Sequence, residues 1–436
     1  MTSSATTSAG TASSAGTASS AGTASAAGAQ PPSAAALRFF QPDARADQYD
    51  LLRELRAAGP LHATPLGPYL LTGYADCAEV LQNAAWSHAK EAALLHPGVA
   101  QQEASSELPT SFLWMDPPDH TRLRHLVSKV FTAGRVAGLR PRIHQLAGQL
   151  VDDALAAGEF DLIQAIAYPL PLRIVCELVG VPAEAHSAVR QWASALARGF
   201  DPDVLMSPQE RAQRSDGARE FQAYFRGLID ERLARPADDL LSALAAAEEQ
   251  GDVLTETELL ATSVTLIVAG HETSVNLVGN GLLALMRHPD QLALLRRHPE
   301  LVAPAVDELL RYDSPVTMTT RAATRPLTVA GREFAPGEGV VPLIASANRD
   351  ERAFTEPDRL DVTRYHNRQP RPNRNLTFSL GIHYCLGAPL AGLEMEVLLR
   401  EVLDRVRVLE LLDDRPRYKP NIVLRGIAEL PTRFLP

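Results

Sequence analysis

A single cysteine stands in an unusual loop near the C-terminal end of the chain, in the stretch FSLGIHYCLGAPL. Cys385 lies two residues after His383, between Gly381 and Gly387, with Phe378 upstream. A thiolate binds a metal only when it is deprotonated and shielded, and N–H groups at a helix start stabilise its charge. The glycines allow tight turns and the close approach of a flat ligand, which the phenyl ring would cover. The loop therefore favours a haem ligated by cysteine.

The loop alone leaves alternative roles of Cys385 open. A buried structural thiol accounts for most single cysteines, but it needs neither flanking glycines nor a histidine. A zinc site needs more thiol or imidazole ligands at short spacing, and the pair His383-x-Cys385 has no second pair. Covalent attachment of a c-type haem needs C-x-x-C-H, which the sequence lacks.

A second group of candidate residues is AGHET, at 269–273, inside a long apolar stretch. Gly270 costs a helix about 1 kcal/mol relative to alanine. Glu272 and Thr273 place a carboxylate and a hydroxyl in apolar surroundings, which is unfavourable unless they are partnered or used. One interpretation is structural: the threonine bonds to a carbonyl one turn earlier and the glutamate reaches a salt bridge. The other is a local widening of the helix that holds a small ligand and water.

Further charged side chains occur at helical spacing. Glu308 and Arg311 in ELLR share a helix face and can pair. In DPPDHTRLRHL, two prolines start a helix on which His120 and Arg124, four apart, point the same way and suit an anionic partner such as a carboxylate. Arg321 in MTTRAA is another candidate of that kind. Taken singly, each is most simply interpreted as a solvated surface charge.

The elements that must position these residues are mostly helical from residue 38 onward. The stretch 255–286 is apolar on nearly every face, which predicts a helix buried through the middle of the protein. A hairpin is expected at 61–73, short strands between 312 and 345, a long loop at 86–113 and an irregular segment at 350–377. The predicted fold is mainly α with a small β portion. Helices are predicted at about 47–60, 118–131, 141–157, 167–179, 184–198, 209–234, 237–249, 255–286, 300–312 and 388–405.

Composition excludes several classes of protein. The 436 residues are 45% hydrophobic and 22% charged, typical of a globular protein with a large core. A net charge of −10 argues against a nucleic-acid binder, and no apolar run is long enough to span a bilayer. Three widely spaced cysteines indicate a reducing cytoplasm rather than a disulfide framework. Residues 1–37 repeat TASSAG and carry no charge, which predicts a disordered tail rather than a secretory signal.

Taken together and in order, these motifs resemble the cytochrome P450 family. FSLGIHYCLG is similar to its haem-binding signature, AGHET to its oxygen-binding helix motif and ELLR to its Glu-x-x-Arg pair. NRDERAFTEPDRLDVTR resembles the irregular segment before the cysteine loop, and MDPPDHTRLRHLV a helix start of bacterial members. The resemblance covers residues 38–436 and implies one large domain with a long buried central helix. The type is the soluble bacterial class, whose members act on antibiotics, macrolides or fatty acyl groups.

The resemblance implies a role for each candidate residue. Cys385 would be the proximal thiolate ligand of haem b (iron protoporphyrin IX). Thr273, helped by Glu272, would relay protons from water to dioxygen, and Thr317 and Thr319 would contact the substrate. The other cofactor-binding positions would be His120, Arg124, Arg321 and His383 at the haem propionates, Phe378, Gly381 and Gly387 in the cysteine loop, and Ala269 and Gly270 beside the dioxygen groove. Substrate contacts are expected in 86–113, 190–215, 265–273, 315–319 and 421–427.

The implied activity is a monooxygenase that hydroxylates or epoxidises a small, largely apolar molecule in bacterial secondary metabolism, such as polyketide, macrolide or antibiotic tailoring. Oxidative ring coupling, dehydrogenation, fatty-acid oxidation and a non-catalytic binding module of the same fold are the alternatives. Electrons would come from NAD(P)H through an external ferredoxin and ferredoxin reductase. The protein would be a cytoplasmic monomer with no membrane or nucleic-acid partner. One departure concerns that ferredoxin: close relatives often read APLARLE, whereas Gly392 stands here in APLAGLE.

Overall fold

The computed structural model describes residues 33–89, 110–249 and 251–436, and helices dominate them. The predicted tail lies outside the described residues except for 33–37, as does most of the predicted loop at 86–113. Numbered in chain order over the described residues, the helices are α1 Ala34–Phe39, α2 Gln48–Ala58, α3 Tyr74–Gln82, α4 Asp119–Val130, α5 Ala133–Gly138, α6 Arg140–Ala157, α7 Pro169–Val179, α8 His186–Ala197, α9 Pro208–Ala234, α10 Leu240–Ala245, α11 Glu256–Arg287, α12 Pro289–Arg297, α13 Val302–Tyr312, α14 Ile344–Ala347 and α15 Ala388–Arg405.

The strands are short and form a minor part of the molecule. They are β1 Leu61–His62, β2 Tyr69–Leu71, β3 Trp86–Ser87, β4 Glu159–Asp161, β5 Glu248–Glu249, β6 Asp252–Val253, β7 Arg321–Ala323, β8 Leu327–Val329, β9 Arg332–Phe334, β10 Gly339–Pro342, β11 Val408–Leu411, β12 Arg417–Tyr418, β13 Ile427–Glu429 and β14 Pro431–Leu435. The prediction of a mainly α fold with a small β portion is confirmed.

Helix α11 is the centre of the core, as its apolar pattern predicted. It begins with a capping box, in which the Thr255 hydroxyl accepts the N–H of Glu258 at 3.2 Å and the Glu258 carboxylate accepts the N–H of Thr255 at 2.8 Å. Side chains all around the helix are buried, and α7, α8, α9 and α13 pack against it. A helix enclosed in this way is a rigid support for any group that it carries.

The largest sheet places two functional candidates beside each other. Its strand order is β1-β2-β10-β7-β3, with β2 and β10 parallel and the other neighbours antiparallel. The predicted hairpin at 61–73 is present as β1 and β2. Arg321 is the first residue of β7, and Ser87 pairs with Ala322 on that strand. The arginine therefore lies near the end of β3, where His88 follows.

The structure differs from the predicted elements at several places. The helix expected at 237–249 is only α10, because the chain turns into the β5–β6 hairpin, where Gly251 has a φ of +84°. Helices α3, α5, α12 and α14 were not predicted. Helix α1 begins inside the expected tail, because Ser33 caps it by accepting the N–H of Ala36 at 3.1 Å.

A buried charge network joins α13 to the irregular segment that precedes the cysteine loop. Arg311 donates to both carboxylate oxygens of Glu308, at 2.7 and 2.8 Å, and to the Asn348 and Pro357 carbonyls at 2.9 and 2.8 Å. Arg364, from the irregular segment, donates to the same carboxylate at 2.9 Å. Residues 350–377 have little regular structure, so these bonds hold them in place instead of a sheet or helix ladder.

The described residues belong to one compact unit, Pro32–Pro436. Among the helices that the structure describes, none is long and apolar enough to cross a membrane.

Candidate active site around Cys385

The cysteine loop is held in a conformation that requires glycine at one position. Gly381 has a φ of +67°, and a Cβ there would lie 2.7 Å from the carbonyl oxygen of Leu81, at the end of α3. Gly387 has an ordinary φ, and a Cβ there would meet only the Cys385 sulfur, at 3.8 Å. The N–H of Cys385 donates to the carbonyl of Phe378 at 2.9 Å, and this bond closes the loop between the two residues.

The Cys385 thiol lies at the start of α15, partly exposed. Burial raises the pKa of Cys385, and this is opposed by hydrogen bonds from the N–H groups of Gly387 and Ala388 and by the charge of Arg124. The Arg124 guanidinium reaches this side of the loop, where it donates to the Tyr384 carbonyl at 2.6 Å. N–H donors and a cation near one sulfur favour a thiolate, but burial outweighs them and the pKa of Cys385 stays above its ordinary value, so its role as a metal ligand stays a prediction.

Three imidazoles and two guanidinium groups converge next to this loop. The His383 ring lies 4.4 Å from the His120 ring and 5.0 Å from that of His88, centroid to centroid. Burial, followed by the charges of His88 and Arg321, lowers the pKa of His383. The charge of Arg124 lowers it further. The structure thus brings together all four residues predicted at the propionates and adds His88.

His88 and Trp114 were missed by sequence reasoning. The two rings stack at 4.8 Å, and the backbone N–H of His88 donates to the Asp116 carboxylate at 3.0 Å. Both residues fall in or beside the stretch expected to be a loop, which has no periodicity from which a contact with His383 could be inferred. Only the pairing of β3 with β7 places His88 beside the cluster.

This basic cluster fits a bound carboxylate. His120 is 2% exposed, and neither of its ring nitrogens has a hydrogen-bond partner among the described residues. Buried polar atoms rarely stay unsatisfied, and an anion would also compensate the positive charge of Arg124 and Arg321. Haem carries two propionates, so the donor set fits this cofactor. Within the part of the chain that the structure describes, no group of three or more His, Cys, Asp or Glu side chains could hold a metal ion.

One face of the central helix is less deeply buried than the others, and the space beside that face is called the cleft below. The otherwise buried α11 has a stripe of partly exposed residues at positions that share a helix face, namely Thr265, Leu266, Ala269, Gly270 and Thr273. A Cβ on the glycine would meet only Val175, at an ordinary 3.6 Å. The predicted groove residues therefore lie together with the predicted catalytic threonine on the open side of the helix.

Thr273 makes the backbone hydrogen bond that its structural interpretation predicts. Its hydroxyl donates to the Ala269 carbonyl, one turn earlier, at 2.7 Å. Thr265 makes the same bond to Ala261 at 2.7 Å. A hydroxyl that donates in this way keeps its lone pairs as acceptors, so a role toward water in the cleft is compatible with this geometry.

Glu272 reaches the predicted salt bridge, and its partner is Lys419. The lysine amine donates to Glu272 and, at 3.0 Å, to the side-chain oxygen of Asn276, and lies 4.9 Å from the Tyr168 ring. Burial opposes the charge of the lysine, but the ion pair outweighs it and raises the pKa of Lys419. The second carboxylate oxygen of Glu272 has no partner among the described residues. It is available to a water molecule.

The two predicted substrate threonines direct their hydroxyls to other parts of the protein. Thr317 donates to the Ile422 carbonyl, and the Thr319 hydroxyl accepts a hydrogen bond from Arg321 at 2.8 Å. Their contact with a substrate stays a prediction, and these bonds assign them to positioning the turn at 421–424 and the arginine.

Another buried acid lies between α11 and α15. Glu394 is 3% exposed, with the Ser274 side chain as a hydrogen-bond partner. Burial raises its pKa to about 8, so the carboxyl group is largely neutral at pH 7.

A cavity of about 660 Å³ lies beside the loop, bordered by Phe378, Tyr384 and Gly392. A Cβ at Gly392 would have nothing within 4 Å, so the arginine that the resemblance led us to expect would extend into open space. Arg374 lines the same cavity and lies 4.8 Å from the Tyr384 ring.

Comparisons with known proteins identify the family of the chain. A family model described as Cytochrome P450 matches residues 200–432. The chain is 39% identical over 403 residues to Cytochrome P450 monooxygenase PikC of Streptomyces venezuelae, covering 90% of this chain and 92% of the relative. It is 35% identical over 413 residues to 6-deoxyerythronolide B hydroxylase of Saccharopolyspora erythraea, covering 90% and 98%. A solved structure, P450BioI in complex with acyl carrier protein carrying hexadec-9Z-enoic acid, matches with a TM-score of 0.81 and 33% identity over 90% of this chain and 99% of that one.

Proposed function

Because this chain belongs to the cytochrome P450 family, we propose that Cys385 ligates the iron of haem b in the cleft that α11 borders. The chain is a haem-thiolate monooxygenase of the bacterial type. The observation that carries the site assignment is the position of Cys385 at the start of α15, where Gly387, Ala388 and the charge of Arg124 favour the thiolate form. Haem, when bound, supplies the activation of dioxygen, and a thiolate ligand favours O–O cleavage.

We assign the propionates to the basic cluster. His120 and His383 would donate through their ring nitrogens, and Arg124 and Arg321 would supply charge-assisted bonds. Gly381 allows the loop to approach α3, and Phe378 would cover the thiolate. Ala269 and Gly270 leave room beside α11 for dioxygen.

Proton supply is the role of Thr273 and Glu272 in this proposal. The threonine hydroxyl donates to the Ala269 carbonyl, so its lone pairs accept a hydrogen bond from water in the cleft. The carboxylate oxygen of Glu272 that Lys419 does not bind accepts another. Together they orient water as the proton donor.

The substrate class we propose is a largely apolar polyketide or macrolide of secondary metabolism. The relative named 6-deoxyerythronolide B hydroxylase supports this class by its name. Apolar side chains near the cleft, including Leu266, also suit it. A fatty acyl chain is the second candidate, favoured by the solved relative bound to an acylated carrier protein. Ring coupling and dehydrogenation would use the same site with a different outcome.

The electrons would come from NAD(P)H through an external ferredoxin and its reductase. A cytoplasmic monomer is the form we propose. The face at Gly392 is open, so the docking partner meets a cavity there, lined by Arg140 and Arg374, rather than an arginine at position 392.

The test of the proposal is the absorbance of the reduced, haem-loaded protein under carbon monoxide. We expect the red-shifted band of a thiolate-ligated haem, and its loss in Cys385→Ser. Cys77→Ser is the matched control, because the buried Cys77 thiol lies 3.4 Å from the Leu71 carbonyl, which a serine hydroxyl can also reach. A folded, haem-loaded wild-type protein without the band would overturn the assignment. In a protein that shows the band, the spin-state shifts caused by macrolactones and by acyl carrier protein conjugates would separate the two substrate classes.

A further inference from the structure

We infer that Thr377 is a positioning residue: its buried hydroxyl fixes the peptide group that precedes the cysteine loop, and thereby the position of the Cys385 sulfur. The inference rests on the proposed function, since the ligand role of Cys385 belongs to it. Residues 375–379, which lead into the loop, are called the lead segment below.

The lead segment is held by side chains from other parts of the chain, because none of it is helix or strand. The fully buried Asn348 contacts it twice: its side-chain oxygen accepts the N–H of Leu376 at 2.7 Å, and its side-chain nitrogen donates to the Thr377 hydroxyl at 3.1 Å. The Asn375 side chain accepts the N–H of Thr377 at 3.2 Å. The backbone of the segment therefore has its hydrogen bonds supplied by side chains.

The Thr377 hydroxyl uses its full capacity for hydrogen bonds. It is buried, donates to the Leu310 carbonyl at 2.9 Å, accepts the Asn348 amide and lies 3.0 Å from the Ser314 hydroxyl. A threonine hydroxyl has one hydrogen and two lone pairs, so three neighbours saturate it. One side chain thus joins the lead segment to α13, to the chain just beyond α13 and to the segment at 348.

The Leu310 carbonyl needs a partner from outside its own helix. It lies in the last turn of α13, where carbonyl groups have no donor within the helix. The N–H of Ser314, which could continue the ladder, donates instead to the Tyr49 hydroxyl at 3.0 Å. Thr377 therefore also satisfies the C-terminal end of the helix that carries the buried charge network.

One peptide group separates Thr377 from the cysteine. Thr377 is followed by Phe378, whose carbonyl accepts the N–H of Cys385 at 2.9 Å. The N–H of Ser379 donates to the Leu376 carbonyl at 2.8 Å and forms a turn with Thr377 and Phe378 at its centre. Because the turn is held on both sides of Phe378, a displacement of Thr377 moves the acceptor of the Cys385 N–H, and the sulfur with it.

The inference requires the hydroxyl of Thr377 and not only its shape. Valine keeps the branched shape but removes the hydroxyl, which leaves the Asn348 amide and the Leu310 carbonyl buried without this partner. Leaving buried polar groups unsatisfied is more unfavourable than the loss of the bond alone. Serine removes only a methyl group and retains the hydroxyl, so it is the conservative replacement.

The test compares the holoenzymes of Thr377→Val, Thr377→Ser and wild type with two measurements. One is the hydrogen exchange of the Cys385 amide, and the other is the rate at which the carbon monoxide band of the reduced protein converts to shorter wavelength without denaturant. Loss of a buried hydrogen bond corresponds to about tenfold in a local opening equilibrium. We expect both rates to rise about tenfold in the valine variant and to stay within about twofold of wild type in the serine variant.

The matched control is Thr432→Val, in β14. The fully buried Thr432 hydroxyl donates to the Leu430 carbonyl at 2.9 Å, so its loss should lower the urea midpoint about as much as Thr377→Val does. Exchange of the Cys385 amide and conversion of the band should nevertheless stay within about twofold of wild type. The comparison separates an effect on the position of the sulfur from a general loss of stability.

Unchanged exchange and conversion in Thr377→Val, or the same acceleration in Thr432→Val, would overturn the inference. If Thr377→Val does not load haem, Ser314→Ala takes its place, because it removes the neighbouring hydroxyl and leaves the bonds of Thr377 to Leu310 and Asn348. Exchange about threefold faster in Ser314→Ala supports the inference, and unchanged exchange overturns it. Failure of the proposed function would look different, because wild type itself would lack the carbon monoxide band while the difference in exchange remained.

Discussion

Replacing Glu308 by glutamine is predicted to destabilise the protein strongly without touching the cleft. The carboxylate is fully buried and accepts hydrogen bonds from Arg311 at 2.7 and 2.8 Å, from Arg364 at 2.9 Å and from the Asp361 N–H at 2.9 Å. A glutamine amide keeps one acceptor oxygen and turns an NH₂ group toward guanidinium donors. The buried Arg311 and Arg364 would then lack the negative charge with which both of them pair in the wild type. Removing one partner of a buried pair costs about 3–5 kcal/mol, which is the expected loss in the free energy of unfolding.

The assay is urea unfolding at pH 7, followed by far-UV circular dichroism and by the haem absorbance. Glu356→Gln is the control from the same irregular segment, because its pair with Arg359 is exposed, with 66% and 62% of the two side chains accessible. That variant should lose less than about 0.5 kcal/mol. A loss below about 1 kcal/mol in Glu308→Gln would refute the reasoning, since the network could not then be what holds the irregular segment.

Three other substitutions test separate parts of the site. In thermal denaturation, Gly381→Ala should lower the free energy of unfolding by about 1–3 kcal/mol, because Gly381 has a positive φ and its Cβ would meet the backbone of Leu81. Gly392→Ala, whose Cβ meets open space in a helix, should be neutral or stabilising. Glu394→Gln should remove a pH dependence of the free energy of unfolding. Because the pKa of Glu394 is raised, the folded state holds a proton that the unfolded state loses above its ordinary pKa, and wild-type stability falls by up to about 1.4 kcal/mol per pH unit between about pH 5 and 8. Urea midpoints that fall equally in both proteins would contradict this. Thr273→Ala should retain haem but divert electrons to peroxide, while Thr265→Ala, which loses the same backbone bond, should leave the ratio of product to NAD(P)H consumed unchanged; equal uncoupling in both would argue against the proton role.

Much of the site could be predicted because its signals are local. Glycine at 381 is required by a backbone angle within the loop itself, and an apolar pattern over 255–286 is enough to indicate a buried helix. The helix predicted at 237–249 was too long because apolar periodicity continues past Ala245, while the glycine that turns the hairpin at 251 lies outside that window.

Partners that lie far apart in the chain could not be predicted. The sequence predicted a salt bridge for Glu272 but not Lys419, 147 residues away. His88 and Asp201 show no pattern at all in their own segments. Their contacts follow from the pairing of β3 with β7 and from the approach of the 421–424 turn to the segment between α8 and α9.

The sequence by itself determined the chemistry: which thiol can serve as a ligand, which helix carries the acid and the alcohol, and which basic residues can bind a carboxylate. These depend on residue type and on spacing along a few turns of chain. Only the tertiary structure decided which partners these side chains take: the hydroxyl of Thr273 bonds to its own helix and Glu272 faces Lys419. The physical reason is that a buried polar group takes whichever partner the packing places within about 3 Å, and packing is a property of the whole chain.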